Sequence, residues 1–320
     1  MSTEGGTRAI VAALAANIGI AITKFVAFLL TGSSSMLAES VHSVADSGNQ
    51  ALLLLGGRRA RKQATPLHPF GYGRERYFWA FVVSIVLFSV GGLFALYEAF
   101  HKFQHPEPIE GRWWWVPLVV LVVSIGLESY SFRTAIHESN HVRGSRSWSE
   151  FIRRAKAPEL PVVLLEDFAA LIGLVFALFG VGLTLVTHNG VWDAVGTALI
   201  GILLVVVAIT LSVEMKSLLL GEAGSVENVQ AIEAAVAGSE GIERIIHMRT
   251  LHIGPEELLV AAKVAVTTTD TAEEIADAIN RAELAARQAV PSLTLLMYIE
   301  PDLDRGTTER PTWDRGTANA

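Results

Sequence analysis

The sequence predicts a membrane protein in two parts: an all-α six-helix transmembrane bundle over residues 1–220 and a C-terminal cytoplasmic α/β (αββαβ) domain over 221–302, with 303–320 a disordered tail. Three observations carry this. Apolar residues gather into runs long enough to cross a bilayer, which takes roughly 20 residues as a helix. Lys and Arg crowd alternate connections between those runs. After Leu220 the long runs stop and short helix and strand periodicities take over.

The six runs cover roughly 9–30, 36–56, 77–100, 113–132, 159–186 and 191–213, with ends uncertain by several residues. The first connection, Gly32-Ser-Ser-Ser35, carries no charge. The second holds Arg58, Arg59, Arg61, Lys62, Arg74 and Arg76, and the fourth Arg133, Arg143, Arg146, Arg153, Arg154 and Lys156. The fifth, Thr187-His-Asn-Gly190, has neither Lys nor Arg. Basic loops face the cytoplasm, so both termini are expected there. The protein is then multi-pass, in the plasma membrane or, if bacterial, the inner membrane. The first apolar run is as long as a spanning helix, so no cleavable signal peptide is expected. Beyond Leu220, residues 225–237 read as a helix, Ile242–Ile253 and Leu258–Val266 as strands, Thr271–Val290 as a helix started by Thr269–Asp270, and Leu293–Ile299 as a strand. From Glu300 on, apolar content falls away toward the tail.

Composition narrows the chemistry. The chain is 51% hydrophobic, with a mean hydropathy of +0.41. It has no cysteine. That excludes disulfide frameworks, zinc ribbons and thiolate catalysis, and leaves His, Asp, Glu, Asn or water to hold any metal. The net charge of −7 conceals basic loops in the membrane half and an acidic C-terminal third.

The second run is the most informative segment. Glu39, His42, Asp46 and Asn49 follow at steps of three, four and three, one polar stripe on a helix. Ionisable groups at bilayer depth are expensive and mark ion paths or relays. Imidazole with carboxylate is also the donor chemistry of divalent transition metals. The bland alternative is interhelical hydrogen bonding that fixes packing. A second acidic pair, Glu166 and Asp167, lies in the fifth run. Neighbours on a helix point about 100° apart, so only one faces a given point squarely. Pro158 and Pro161 leave open a reading in which the pair sits near the interface. Asn17 is read as a packing or outer partner. Glu98, Glu128 and Asp193 are read as lying near helix ends, and His101, His105, His137 and His141 as solvated loop residues.

These residues resemble the cation diffusion facilitator family of zinc transporters. His42-Ser-Val-Ala-Asp46 matches its [His/Asp]-x-x-x-Asp motif, and His68-Pro-Phe-Gly-Tyr-Gly-Arg-Glu-Arg76 resembles its His-Pro-[Phe/Tyr]-Gly loop. The six-span plan with an αββαβ domain completes the likeness, over residues 9–302. The resemblance implies metal ligands at His42, Asp46 and Asp167. It also shows a departure: the family's usual fifth-helix histidine is Val163 here. Water, Glu166 or an outer-shell Glu39 or Asn49 would complete the site. His68 matches one peripheral ligand, but Thr65 and Tyr72 occupy the other loop positions. In the C-terminal domain Ile246 and Tyr298 stand where histidines often occur, Glu300 is the main acidic candidate, and His247 and His252 are read as strand-surface residues.

The resemblance implies a secondary active transporter, not an enzyme: a Zn²⁺/H⁺ antiporter exporting zinc from the cytoplasm. Its partners would be divalent metal ions, protons, lipid and a second copy in a homodimer. No cofactor and no nucleic acid is expected. A carrier of Mn²⁺, Fe²⁺ or Co²⁺, an intramembrane metalloenzyme and a non-transporting membrane scaffold remain the alternatives.

Overall fold

The computed structural model describes residues 2–31, 34–106 and 113–304, with the side chains at 2–5, 31, 34–39, 41, 42 and 45 outside that description. The chain divides into two compact units at Leu220/Gly221.

The first unit is helical: α1 (Ser2–Thr31), α2 (Ser34–Ala60), α3 (Glu75–Val86), α4 (Phe94–Gln104), α5 (Val116–Arg143), α6 (Trp148–Arg154), α7 (Glu159–Thr187) and α8 (Val191–Leu220). A π-helical stretch, Leu87–Leu93, joins α3 to α4 without a break, giving one rod over Glu75–Gln104. Among the described residues five rods are long and apolar enough to cross a membrane: Gly6–Leu30, Glu75–Gln104, Val116–Arg143, Glu159–Thr187 and Val191–Leu220. This is a multi-pass membrane protein. The expected second span, α2, is 27 residues long but is not among them. Its first half, Ser34-Ser-Met-Leu-Ala-Glu-Ser-Val-His-Ser-Val-Ala-Asp46, is too polar. It runs back along α1, where Ser40 Oγ donates to the Ala21 carbonyl at 3.0 Å and Asn17 Nδ2 to Gln50 Oε1 at 3.2 Å.

Polar clamps fix the two ends of the bundle. At one end Arg76 of α3 pairs with Glu159 of α7 at 3.3 Å, both side chains only 8% exposed. Arg8 of α1 reaches Glu138 of α5 at 3.9 Å, and Arg59 of α2 reaches Glu75 at 4.0 Å. At the other end Lys102 of α4 bonds Asp193 of α8 at 2.9 Å and Glu98 at 3.3 Å. Beside this second clamp α7 and α8 approach backbone to backbone. A Cβ on Gly180 would lie 2.8 Å from the Trp192 carbonyl oxygen, and one on Gly196 2.8 Å from that of Phe176.

Two expectations about this unit are corrected. The fourth run does not stop near residue 132: α5 continues to Arg143, because Arg133 is accommodated on the helix and Gly144, at positive φ, ends it. A short helix, α6, also forms in the basic connection, where the Ser147 hydroxyl caps Glu150 N–H. About two turns with so little apolar pattern give no periodicity to read.

The second unit follows the order α9 (Val226–Ala237), β1 (Arg244–Gly254), β2 (Glu257–Ala265), α10 (Ala272–Ala289), β3 (Thr294–Asp302). The sheet order is β1-β2-β3, antiparallel then parallel. On β2, Leu258, Val260, Ala262 and Val264 are buried, while Leu259, Ala261 and Lys263 alternate toward the open face. Leu258, Val260 and Val264 pack with Ile232 and Val236 of α9 and Ala278, Ala282 and Ala286 of α10. The start of α10 falls at Thr271, two residues later than Thr269, through a reciprocal capping box with Glu274. Glu300, Pro301 and Asp302 belong to β3 and pair with Lys263–Ala265, so the regular fold extends beyond Ile299. The expected tail from residue 305 on lies outside the described residues.

Candidate functional site

Four buried or half-buried carboxylates gather in the helical unit: Asp46 on α2, Glu128 on α5, and Glu166 and Asp167 on α7. Glu166 lies in the field of Asp46, Asp167 and Glu128, and Glu128 in that of Asp167 and Asp46, with Lys24 opposing. Asp167 is 2% exposed and Glu166 7%. Asp167 is the ninth residue of α7, about 12 Å along the helix at 1.5 Å per residue. The pair therefore lies inside the helix, which begins at Glu159 and not after Asp167.

The phase of α7 separates the two neighbours as adjacent helix positions require. Glu166 turns to α2. Its Oε1 accepts from Asn49 Nδ2 at 3.0 Å, and its Oε2 from Gln50 Nε2 at 2.9 Å. Gln50 in turn accepts from Asn17 Nδ2, so one amide chain links α1, α2 and α7. Asp167 turns to α5, where Ser131 Oγ donates to its Oδ2 at 2.5 Å. Two buried oxygens of the cluster, Asn49 Oδ1 and Glu128 Oε2, have no hydrogen-bond partner among the described residues.

The expected ligand set fares as follows. Asp46, Glu166, Asp167 and Asn49 belong to one neighbourhood. His42 and Glu39 lie on α2, but their side chains are outside the described residues. Val163 is fully buried in the apolar core. As the side chains stand, no three His, Asp or Glu groups converge closely enough to hold a metal ion among the described residues. His68 sits apart in its own exposed loop. Its N–H donates to Thr65 Oγ1 at 3.2 Å, Thr65 Oγ1 lies 3.4 Å from the Tyr72 hydroxyl, and the His68 and Tyr72 rings are 4.7 Å apart. In the second unit His247 borders the open sheet face beside Lys263 and Glu300. His252 is buried, not a surface residue: its ring nitrogen Nδ1 lies 3.2 Å from the Gly254 carbonyl oxygen.

Sequence reasoning missed Gln50 and misplaced Glu128. Gln50 is four residues after Asp46, so continuing that step along α2 finds it. Glu128 was assigned to a helix end because the span was closed too early; with α5 ending at Arg143, it is mid-helix and 5% exposed.

Comparison with known proteins agrees with this architecture. The cation efflux transmembrane domain family matches residues 10–220. The proton-coupled zinc antiporter SLC30A9, mitochondrial, of Mus musculus is 30% identical over 244 residues, 75% of this chain and 42% of that protein. Metal tolerance protein C4 of Arabidopsis thaliana is 27% identical over 266 residues, 82% of this chain and 58% of that protein. Magnetosome protein MamB of Magnetospira sp. (strain QH-2) is 25% identical over 281 residues, 83% of this chain and 85% of that protein. The chain thus spans less than half the length of the antiporter it matches. With a match over most of its helical unit, the chain belongs to the cation efflux, or cation diffusion facilitator, family.

Proposed function

We propose that this protein is a secondary transporter that exports divalent metal, zinc foremost, from the cytoplasm in exchange for protons. The observation that carries this reading is the carboxylate cluster on α2, α5 and α7, buried in a bundle whose outer surface is apolar. A lipid environment does not tolerate such groups without an ion or proton to neutralise them. Metal needs ionised carboxylates and neutral imidazole, so binding releases protons and protonation expels metal. His42, Asp46 and Asp167 are the ligands in this reading, and Glu166 holds α2 against α7 through Asn49 and Gln50. The antiporter named among the relatives supports zinc and proton coupling.

In this reading α2 is the sixth span. Its polar first half is sheltered by α1, and its last turn, with Arg58 and Arg59, comes to the end where Arg76 and Glu159 pair. That end carries the basic loops and faces the cytoplasm, together with both termini. Residues 1–220 form the transport domain and 221–302 the cytoplasmic domain, which joins two copies. A second reading, Mn²⁺, Fe²⁺ or Co²⁺ as cargo, is favoured by the excess of carboxylate over imidazole, a harder donor set.

The test is metal-driven proton flux in proteoliposomes across Zn²⁺, Mn²⁺, Fe²⁺, Co²⁺ and Cd²⁺. Zinc is expected to give the largest flux. Asp46→Ala and Asp167→Asn are each expected to reduce it to background in protein that remains folded. No flux with any ion, or wild-type flux in both variants, overturns the proposal and favours a non-transporting scaffold.

A further inference from the structure

The face that α5 turns inward is polar. Ser124, Glu128, Ser131 and Ser139 are all buried, at steps of four, three and eight, so they share one side of the helix. From Ser124 to Ser139 that line runs about 22 Å. Ser131 is engaged with Asp167. Ser124 Oγ, Glu128 Oε2 and Ser139 Oγ have no hydrogen-bond partner among the described residues. A serine can turn its hydroxyl to a carbonyl of its own helix, but a carboxylate has no donor to offer. A carboxylate oxygen buried without a donor is costly and calls for a cation or proton.

The rest of the neighbourhood narrows the occupant. Both oxygens of Glu166 already accept amide hydrogens, from Asn49 and Gln50. Glu128, by contrast, has one oxygen without a hydrogen-bond partner among the described residues while lying within electrostatic reach of Asp167 and Asp46, with Lys24 the cation that opposes them. Ser131, one turn along the same face, fixes α5 against the Asp167 carboxylate. The position from which an imidazole would complete the set on α7 is Val163, which has no donor atom.

Resting on the transport reading above, we propose that Glu128 is a direct ligand of the transported divalent cation, so that the donor missing at Val163 is supplied by α5. The cation draws the flexible Glu128 side chain toward Asp167 and Asp46, closing a set that is open as the side chains stand. Three helices, α2, α5 and α7, then hold the ion, and the donors are carboxylate-rich. Glu166 stays a positioning residue that orients α2 through its two amide donors.

The experiment uses the full chain in detergent and in proteoliposomes, with Zn²⁺ as the probe. Equilibrium zinc binding is measured by calorimetry, and zinc ligation by X-ray absorption. Glu128→Gln keeps the shape of the side chain but removes its charge. It is expected to weaken zinc binding by more than the roughly 10–100-fold that loss of an outer partner costs, with one oxygen scatterer lost from the metal shell. Glu166→Gln is expected to weaken it less and to keep that shell. Glu128→Asp, which retains the carboxylate but shortens its reach, is expected to bind zinc better than Glu128→Gln; it keeps the inference testable if the glutamine variant does not fold. Wild-type affinity and shell in Glu128→Gln, or a larger loss in Glu166→Gln, overturns the role of Glu128 and leaves the transport reading intact. A wild-type protein that neither binds nor moves zinc overturns both.

Discussion

The two units of this chain bury opposite things. In the α/β unit the interior is Ile232, Val236, Leu258, Val260, Val264 and their neighbours, and among the described residues its one buried polar side chain is His252. Every other described polar or charged side chain that is buried lies in the helical unit, Asn17, Gln50, Glu128, Glu166 and Asp167 among them. The surfaces invert as well. Of the exposed large apolar side chains among the described residues, only Val226, Leu284 and Tyr298 belong to the α/β unit. Water drives apolar groups inward in one unit; lipid gives no such drive in the other. Polar groups inside the helical unit therefore do not follow from the solvent. In the transport reading some hold the helices together and others serve the ion, and substitution separates the two kinds.

The largest structural effect is expected at the Arg76–Glu159 pair, which closes one end of the bundle with both side chains nearly buried. Glu159→Ala leaves a buried guanidinium without this partner and is expected to cost about 3–5 kcal/mol. Replacing both, Arg76→Met with Glu159→Leu, is expected to recover most of it. Thermal unfolding in detergent measures this. Asp167→Asn, in contrast, is expected to leave the unfolding temperature close to wild type while transport is lost. If the two substitutions destabilise alike, the division into holding and serving groups fails.

A smaller and mixed effect is expected where the helical unit is apolar at a position the family usually fills with histidine. Val163→His adds an imidazole one turn before Asp167, and competition between Zn²⁺ and Mn²⁺ is expected to shift toward zinc. Because Val163 is fully buried, the larger side chain is also expected to cost about 1–3 kcal/mol from overpacking. An unchanged preference would place position 163 away from the ion.

The smallest effect belongs to the α/β unit, where polar groups work at the surface. Thr271 caps α10: its Oγ1 accepts from Glu274 N–H, and its backbone N–H, with its hydroxyl adding to it, donates to Glu274 Oε2 and holds that carboxyl below the usual carboxylate range. Thr271→Ala is expected to cost about 1 kcal/mol, as loss of a cap does. A depressed carboxylate contributes stability above its unfolded pKa and loses it as pH falls through the folded value. The difference between wild type and Thr271→Ala is therefore expected to narrow on acidification, read by hydrogen exchange of the first turn of α10. A constant difference would assign the effect to the hydroxyl's role as acceptor for Glu274 N–H and not to its bond with the Glu274 carboxylate.

Much of this was legible in the sequence, for reasons that differ by element. Period-two and period-3.6 patterns with one apolar side gave the α/β unit to within a few residues, because water enforces that sidedness. The acidic pair on α7 was legible in phase: one residue of separation sends Glu166 to α2 and Asp167 to α5. Glu128 was not, because a charge ten residues farther than expected from a helix end reads as an interfacial group when Arg133 is taken as the boundary. Gln50 was hidden by its apolar context, Asn49-Gln-Ala-Leu-Leu-Leu-Leu55, where only the partner on α7 reveals its use. The polarity of α2 drew attention to its stripe and, by the same token, kept that helix below the apolarity of its neighbours.

The π-helical stretch at Leu87–Leu93 acts on the rod as a phase correction. A wider turn takes in one residue more than an α-turn, and each residue carries about 100° of rotation. Everything beyond it, including Glu98 and Lys102, is thereby turned relative to Arg76 and Ser84 at the start. Both halves of the rod face α8: Ser212 Oγ bonds Ser84 Oγ at 2.9 Å on one side of the stretch, and Lys102 meets Asp193 on the other. The rod and α8 are close at Gly92, where a Cβ would lie 2.7 Å from the Val205 side chain, and at Gly201, where one would lie 2.8 Å from Leu96. Removing one residue from Leu87–Leu93 would restore an unbroken α-helix and swing Lys102 off Asp193. The rod's two ends are thus matched to the same neighbour by a single surplus residue, and its length in residues is fixed by angle as much as by the thickness of the bilayer.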